Sequence, residues 1–542
     1  MFKNHPKGLL PAALSNMGER FGYYIMNAVL TLFLCSKFGL DAKTGALIYS
    51  FFYAGIYVLA LVGGFIADKS QNYKGTIMTG LVIMACGYGL LSIPIMSTSD
   101  NFTFLLVFTC LSLFLIAFGN GLFKGNLQAI VGQMYDNHEK AGHKGYRDRG
   151  FQIFYVFINI GGLIAPFVAP LLRGWWLGKH NLLYNADLPA LCHKYLKFGA
   201  DMVGANASLE DIANAPVLYS NLTTLADKVS TVGATVDPSQ MTDFCSSYLN
   251  VFNTGVHYSF IASVAAMLIS LVIFASTKKI FPTPPKKEKK GNENYTAEER
   301  KAMADKIKKR IYALFAVLGV VIFFWFSFHQ NGVSLSYFAR DFVNTSVIPP
   351  EIWQAINPFL VICLTPLIIW IFARMDKRRK DALKLDPKST QKGEPSTPMK
   401  IAIGMGIAGL GYLFLTIVSK VAGFPSYNEY QKMGEAAQSA LKIVPWTLII
   451  MYFFLTVAEL FISPLGLAFV SKIAPKNMQG LCQGLWLTAT ALGNLLLFLG
   501  AMMYEKWSLW LCWVVFAIVC AISMIVMLTM VRWIEEIAAK TD

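Results

Sequence analysis

The sequence predicts an all-α membrane protein whose spans fall into two bundles of six helices. Three observations carry this. Of its 542 residues 55% are hydrophobic and 14% aromatic, with a mean hydropathy of +0.49, and only a bilayer accommodates so many long apolar runs. Twelve runs approach or exceed the roughly 20 residues needed to cross. One polar, basic connection at 278–310 divides them six and six. The spans are expected at about 10–36, 46–68, 76–97, 103–134, 149–173, 255–276, 311–334, 350–374, 400–421, 444–471, 480–503 and 507–532.

The first span holds SNMGERFGYYIMN at Ser15–Asn27, which sets charges inside an apolar run. On a helix Asn16, Arg20, Tyr23 and Asn27 form one polar stripe, with Glu19 and Tyr24 on its flanks. A charge at mid-bilayer costs about 2.5–3.5 kcal/mol on insertion scales, so such residues face a bundle interior or an aqueous cavity and mark a transport path. The alternative is an ion pair that only joins helices.

Basic residues cluster between spans. They lie in the sixth-to-seventh connection (Lys278, Lys279, Lys286, Lys287, Lys289, Lys290 and Lys301 to Arg310) and in the eighth-to-ninth connection (Lys377, Arg378, Arg379, Lys380). The positive-inside rule makes both cytoplasmic, and an even span count puts both termini there too. The net charge of +15 is thereby placed without a nucleic-acid partner. Met1 to Lys7 leads straight into the first span without a small-residue cleavage site, so no cleaved signal is expected. Pro282, Pro284 and Pro285 stop the sixth helix, and Thr296 with Glu299 forms a capping-box pattern for a short charged helix running into the seventh.

The expected domains are 1–173 and 255–277 for the first bundle, 174–254 for an extracytoplasmic insertion, 278–310 for the linker, and 311–542 for the second bundle. The insertion carries Asp187, Asp201, Glu210, Asp211, Asp227, Asp237 and Asp243. A loop that long is expected to fold locally, either as a rim cap or as a module that captures a partner or substrate. Of nine cysteines, Cys35, Cys86, Cys110, Cys363, Cys482, Cys512 and Cys520 lie in apolar runs as small fillers. Cys192 and Cys245 lie in the insertion, and could bond if it faces an oxidising compartment.

Asp68-Lys69 and Gly75 after the second span are echoed by Asp376-Lys377-Arg378-Arg379 after the eighth. Repeated halves of one topology are the build of major facilitator transporters, with the substrate site near the midplane. Two more charges fall inside spans, Lys124 in FGNGLFKGN and Glu459 in TVAELFISPLG. With Glu19 and Arg20 they would cost about 10–14 kcal/mol against lipid, comparable to the stability of a whole domain, so they must share an interior. A Lys124–Glu459 pair would join the halves when the cavity is closed on one side. A zwitterion would replace it, its carboxylate on Arg20 and Lys124 and its ammonium on Glu459. Tyr57, Asn159, His329, Gln330, Asn357 and Trp486 are further candidates for the lining, although taken singly such amides and aromatics more often pack between membrane helices. His329 is either a hydrogen-bonded core histidine or a proton carrier.

GERFGYY at Gly18–Tyr24, GGFIAD at Gly63–Asp68, FYVFINIGG at Phe154–Gly162, AELFISPLGLAFV from Ala458 and KIAPKNMQG ending at Gly480 together resemble the signatures of the proton-dependent oligopeptide transporters, a branch of the major facilitator superfamily. The resemblance implies import of di- and tripeptides across the inner cell membrane by proton symport and alternating access. It implies a peptide site of Arg20, Tyr23, Tyr24, Tyr57, Lys124, Asn159, Asn357, Glu459 and Trp486. No cofactor is expected beyond the proton gradient; the partners are peptide, protons and lipid, and a monomer is expected.

Departures from the pattern matter. Asn16 replaces a glutamate, Asn27 an arginine and His329 an acidic residue, and Gly125 a proline. In the family the partners at Asn27 and His329 form an outer-gate salt bridge, and losing both avoids leaving one charge unpaired. With Asn16 unable to titrate, Glu19, Glu459 and His329 remain as proton carriers, and coupling is expected to be rewired. A proton-independent facilitator, a symporter of another small solute, or a non-transporting receptor are the competing readings. An enzyme is not expected, since no metal-ligand spacing, nucleophile elbow or phosphate loop stands out.

Overall fold

The computed structural model describes residues 4–40, 42–98, 100–143, 145–185, 188–204, 209–230, 236–283, 297–344, 353–386, 389–430, 433, 435–476 and 478–539. In the first half α1 (Leu9–Phe38), α2 (Ala42–Ser70), α3 (Tyr73–Leu91), α4 (Phe102–Lys140) and α5 (Arg147–Lys179) cross in succession. The insertion contributes α6 (Leu188–Phe198) and α7 (Leu209–Val229), and α8 (Met241–Thr277) completes the bundle. The second half comprises α9 (Ala297–Phe328), α10 (Ser334–Phe342), α11 (Trp353–Leu385) and α12 (Thr397–Val421). It continues through two short helices, α13 (Tyr427–Tyr430) and α14 (Glu435–Ala440), to α15 (Trp446–Ile473), α16 (Gln479–Leu495), α17 (Leu497–Lys506) and α18 (Leu509–Ala539).

Among the described residues eleven helices are long and apolar enough to cross a membrane, and twelve if α1, bent by 40° between Asn27 and Val29, is one span. Local signals fix several ends. The Asn72 side chain accepts the Gly75 N–H and starts α3, the Ser396 hydroxyl accepts from Met399 N–H and starts α12, and Gly39 closes α1 with a left-handed φ of 62°.

Several expected boundaries move. The third span stops at Leu91 rather than near 97, because the residue before Pro94 is pushed out of helical geometry. The sixth begins at Met241, fourteen residues before the expected 255, because Met241, Cys245, Tyr248, Leu249 and Phe252 make a buried helical stripe that a hydropathy average dilutes. The charged helix before the seventh span and the span itself are one helix, α9, which breaks into a 3₁₀ turn at His329–Gly332. The eleventh span is interrupted at Leu496. Residues 284–296, with Pro284, Pro285, Lys286, Lys287, Lys289, Lys290 and Thr296, lie outside the described residues.

Glycine brings the halves together. A Cβ on Gly63 would stand 2.1 Å from the Gly121 carbonyl oxygen of α4, and one on Gly64 would stand 2.5 Å from the Gly480 backbone of α16. Gly484 lies one turn on and would meet the Ala60 carbonyl oxygen at 3.0 Å. The GGFIAD stretch therefore binds α2 to its own half with one glycine and to the other half with the next.

Candidate functional site

Glu19 and Arg20 are neighbours in α1 and pair with each other. Arg20 Nε donates to Glu19 Oε2 and Nη2 to Oε1, both at 2.6 Å. Asn120 Nδ2 of α4 donates to the same Oε1 at 2.6 Å, and the Glu19 side chain is fully buried. The pair thus both fastens α1 to α4 and carries Arg20 towards the tyrosines, its guanidinium 4.8 Å from the Tyr23 ring centre. The Tyr24 ring stands edge-on to Tyr23, centroids 5.4 Å apart, near the charges of Arg20 and Glu459. Asn16, one turn below, is buried with an unpartnered amide nitrogen.

A ladder on α2 faces this stripe. Tyr49, Tyr53 and Tyr57 stand one turn apart, the Tyr53 and Tyr57 hydroxyls are 3.0 Å apart, and Tyr49 donates to Asn27 Oδ1 at 3.0 Å. Of the three only Tyr57 was expected from the sequence, although four-residue spacing on one helix face was a legible signal. The Lys124 ammonium sits 5.4 Å from the Tyr57 ring centre, with the Arg20 and Glu19 charges nearby.

Glu459 of α15 does not pair with Lys124. Its Oε1 accepts the Tyr155 hydroxyl of α5 at 2.5 Å and its Oε2 accepts Asn357 Nδ2 of α11 at 2.7 Å. The tie between halves expected of Lys124 is therefore made by Tyr155. The reason is packing: α5 lies against α11 and α15 and delivers its tyrosine to the carboxylate, while Lys124 is turned to the α2 side. Tyr155 was missed because it lies inside an aromatic run that reads as core.

The other expected residues divide. Asn357 is at the centre. Asn159 lies one turn from Tyr155 and donates to its carbonyl oxygen at 3.0 Å. Trp486 is buried, its ring filling the space over Gly466. Gln330 accepts from Ser334 at 2.7 Å and packs against Gly500. His329 sits in the break after α9, its ring stacked on Trp325 with centroids 4.9 Å apart. None of its contacts reaches Glu19, Arg20, Lys124 or Glu459. Neither Asn27 nor His329 crosses to the other half, because Asn27 is held by Tyr49 of its own bundle.

Below this centre, on the face carrying both chain ends, the halves are locked. The Asp68 carboxylate accepts the backbone N–H groups of Gly480 at 3.0 Å and Leu481 at 2.8 Å, at the positive N-terminal end of α16. Arg147 donates to Ser471 at 3.2 Å while paired with Asp136 and Glu139. Lys400 bridges Asp148 at 2.8 Å and Glu394 at 2.6 Å, and Arg149 reaches Glu394 at 2.8 Å. Between described residues, every hydrogen bond from one half to the other lies at the Tyr155–Glu459 contact or on this side of it. Charged and aromatic groups thus converge between two bundles that are sealed on one face.

The sequence profile of the POT family matches residues 74–186 and 290–510, more than half of the chain. Relatives include the peptide transporter YePEPT of Yersinia enterocolitica, 26% identical across 91% of this chain and 87% of the relative. The dipeptide and tripeptide permease B of Salmonella typhimurium is 26% identical across 88% of this chain and 83% of its own. Among solved structures, the peptide transporter POT in complex with sulfate superposes with a TM-score of 0.53 at 21% identity, covering 99% of this chain and 96% of that one. A POT family transporter in complex with 5-aminolevulinic acid gives 0.53 at 19% identity, covering 98% of each chain. These likenesses carry the fold, and the profile carries the kinship: the chain is a member of the POT family of membrane transporters.

Proposed function

We propose that the protein imports di- and tripeptides across the inner cell membrane, by proton symport through alternating access. Both termini and the locked face are cytoplasmic, by the excess of Lys and Arg in the connections on that side, so the arrangement above is the state closed to the cytoplasm. The observation that carries the reading is the separation of charge across the centre. Arg20 and Lys124 stand on the first half and Glu459 on the second, and among the described residues Lys124 has no ion-pair partner. A peptide carboxylate suits Arg20 and Lys124, and its ammonium suits Glu459 in place of the Tyr155 donor. Binding that removes the Tyr155–Glu459 bond loosens the central tie and permits the cytoplasmic side to part. The protein needs no cofactor and works as a monomer.

One observation favours a second reading, a proton-independent facilitator. Asn16 cannot titrate, and both Glu19 oxygens are occupied by Arg20 and Asn120. On the symport reading Glu459 is the proton carrier. Uptake of a labelled dipeptide into liposomes, with and without an inward proton gradient, decides between them. Accumulation above equilibrium only with the gradient supports symport; equal uptake in both conditions supports the facilitator.

A further inference from the structure

The insertion is not a loose loop. It is fastened to the first bundle at several points: His193 Nε2 lies 2.7 Å from the Ser36 carbonyl oxygen at the end of α1, and Asn185 N–H donates to the Tyr248 hydroxyl of α8 at 3.2 Å, while within the insertion Leu183 N–H donates to the Val229 carbonyl oxygen at 2.7 Å. The Arg173 guanidinium lies 3.7 Å over the Tyr184 ring. Its central joint is the contact of α6 with the first turns of α8. On α6 Leu188, Leu191 and Cys192 face inward; on α8 Met241, Cys245, Tyr248 and Leu249 do so. Cys192 and Cys245 lie on the two sides of that joint, both wholly buried and both free thiols in this structure.

We propose that Cys192 and Cys245 form a disulfide in the mature protein, which locks α6 to the sixth span and closes a loop containing α7. The proposal rests on the outward placement of the insertion inferred above, since disulfides persist in oxidising compartments. The step exchanges electrons with a disulfide-bearing thiol oxidoreductase of the outer compartment. Both cysteine thiols lose their protons, one sulfur–sulfur bond forms between them, and the enzyme's own disulfide takes up the two electrons and two protons as a dithiol. Order of events follows from burial. In the reduced form the neighbouring Cys245 thiol and the loss of water hold the Cys192 thiol protonated far above its ordinary range. A protonated, enclosed thiol does not exchange, so the bond forms before the joint packs and afterwards resists reductants while the protein stays folded.

The test counts thiols. The full chain, acid-quenched from cells, is denatured and treated with a maleimide-polyethylene glycol that adds one mass step per free thiol. With nine cysteines in the sequence, seven steps without reductant and nine after reduction are expected. Eight or nine steps without reductant overturn the proposal. Cys192→Ser should give eight steps without reductant, since its partner is released; six would place the bond elsewhere and likewise overturn it. Orientation is read separately from Ser220→Cys, at an exposed position of α7. A membrane-impermeant maleimide on intact cells should label it above the parent chain. Labelling there together with nine free thiols refutes the bond alone, whereas no labelling refutes the orientation.

Discussion

Gly64→Ala should open the locked face while leaving each bundle intact. The atoms that its Cβ would meet are all backbone of the opposite half: the Gly480 carbon and oxygen at 2.5 Å and the Leu481 nitrogen at 2.8 Å. None of these can swing aside as a side chain could, so α2 and α16 must separate. Overpacking of this kind costs about 1–3 kcal/mol. Separation also stretches the two bonds from the Gly480 and Leu481 N–H groups to Asp68. The cost falls only on the closed state, because the open state has no seam to overpack. At 1.4 kcal/mol per factor of ten, the ratio of closed to open molecules should fall roughly 5- to 150-fold. Spin labels at Lys140→Cys and Lys476→Cys, both exposed on the locked face, report this by double electron–electron resonance. A longer distance should grow at the expense of the short one. Gly319→Ala, whose Cβ would meet nothing within 4 Å, is the control. Gly63→Ala meets Gly121 within its own half and should instead lower the melting temperature. An unchanged distance distribution in folded Gly64→Ala protein would refute the seam as the closing contact.

Glu459→Gln removes the charge that Tyr155 and Asn357 hold, and should reduce uptake of free-amine dipeptides at least about tenfold, since hydrogen bonds to charged groups contribute roughly 1.5–3 kcal/mol. An N-acetylated dipeptide should be less affected; equal losses for both would remove the amine-anchor role. Arg20→Lys keeps the charge but not the two-pronged fit to Glu19, and a transport loss of about tenfold or more in folded protein is expected in the uptake assay. Lys400→Met leaves Asp148 and Glu394 facing each other without their shared cation; because both carboxylates are partly exposed, the thermal-unfolding loss should fall at or below the low end of about 3–5 kcal/mol. His5, docked 2.6 Å from the Tyr135 hydroxyl, has its pKa lowered from 6.5 to about 4, because burial disfavours the charged ring and His138 and Arg149 repel it. The docked state prefers the neutral ring, so docking is at full strength above about pH 6.5 and weakens as pH falls towards 4. Hydrogen exchange at Asn4–Lys7 should quicken over that window, and His5→Phe should flatten the response.

The polar stripe of α1 and the intramembrane positions of Lys124 and Glu459 were legible because a charge in an apolar run is unambiguous on a one-dimensional scale. The twelve runs were legible for the same reason. Helix ends were less so, since the start of α8 depends on a stripe that is apolar only on one side. Partnerships were least so. Glu459 could have met Lys124, and the sequence offers nothing against it. Tyr155 is instead the partner because α5 happens to lie along α15, a relation set by many contacts far apart in the chain.

The sequence by itself determined that the chain lives in a bilayer, in two bundles of six helices, with a handful of ionisable groups too costly to face lipid. Hydrophobicity is a local property, and each run declares it without its neighbours. Tertiary structure alone decided who holds whom: Arg20 with Glu19 and Asn120, Glu459 with Tyr155 and Asn357, Asp68 with the first turn of α16, Cys192 against Cys245. Apart from the Glu19–Arg20 pair within α1, those pairings depend on how closely two helices approach, and that distance is fixed by glycines and ring shapes on elements far apart in the chain.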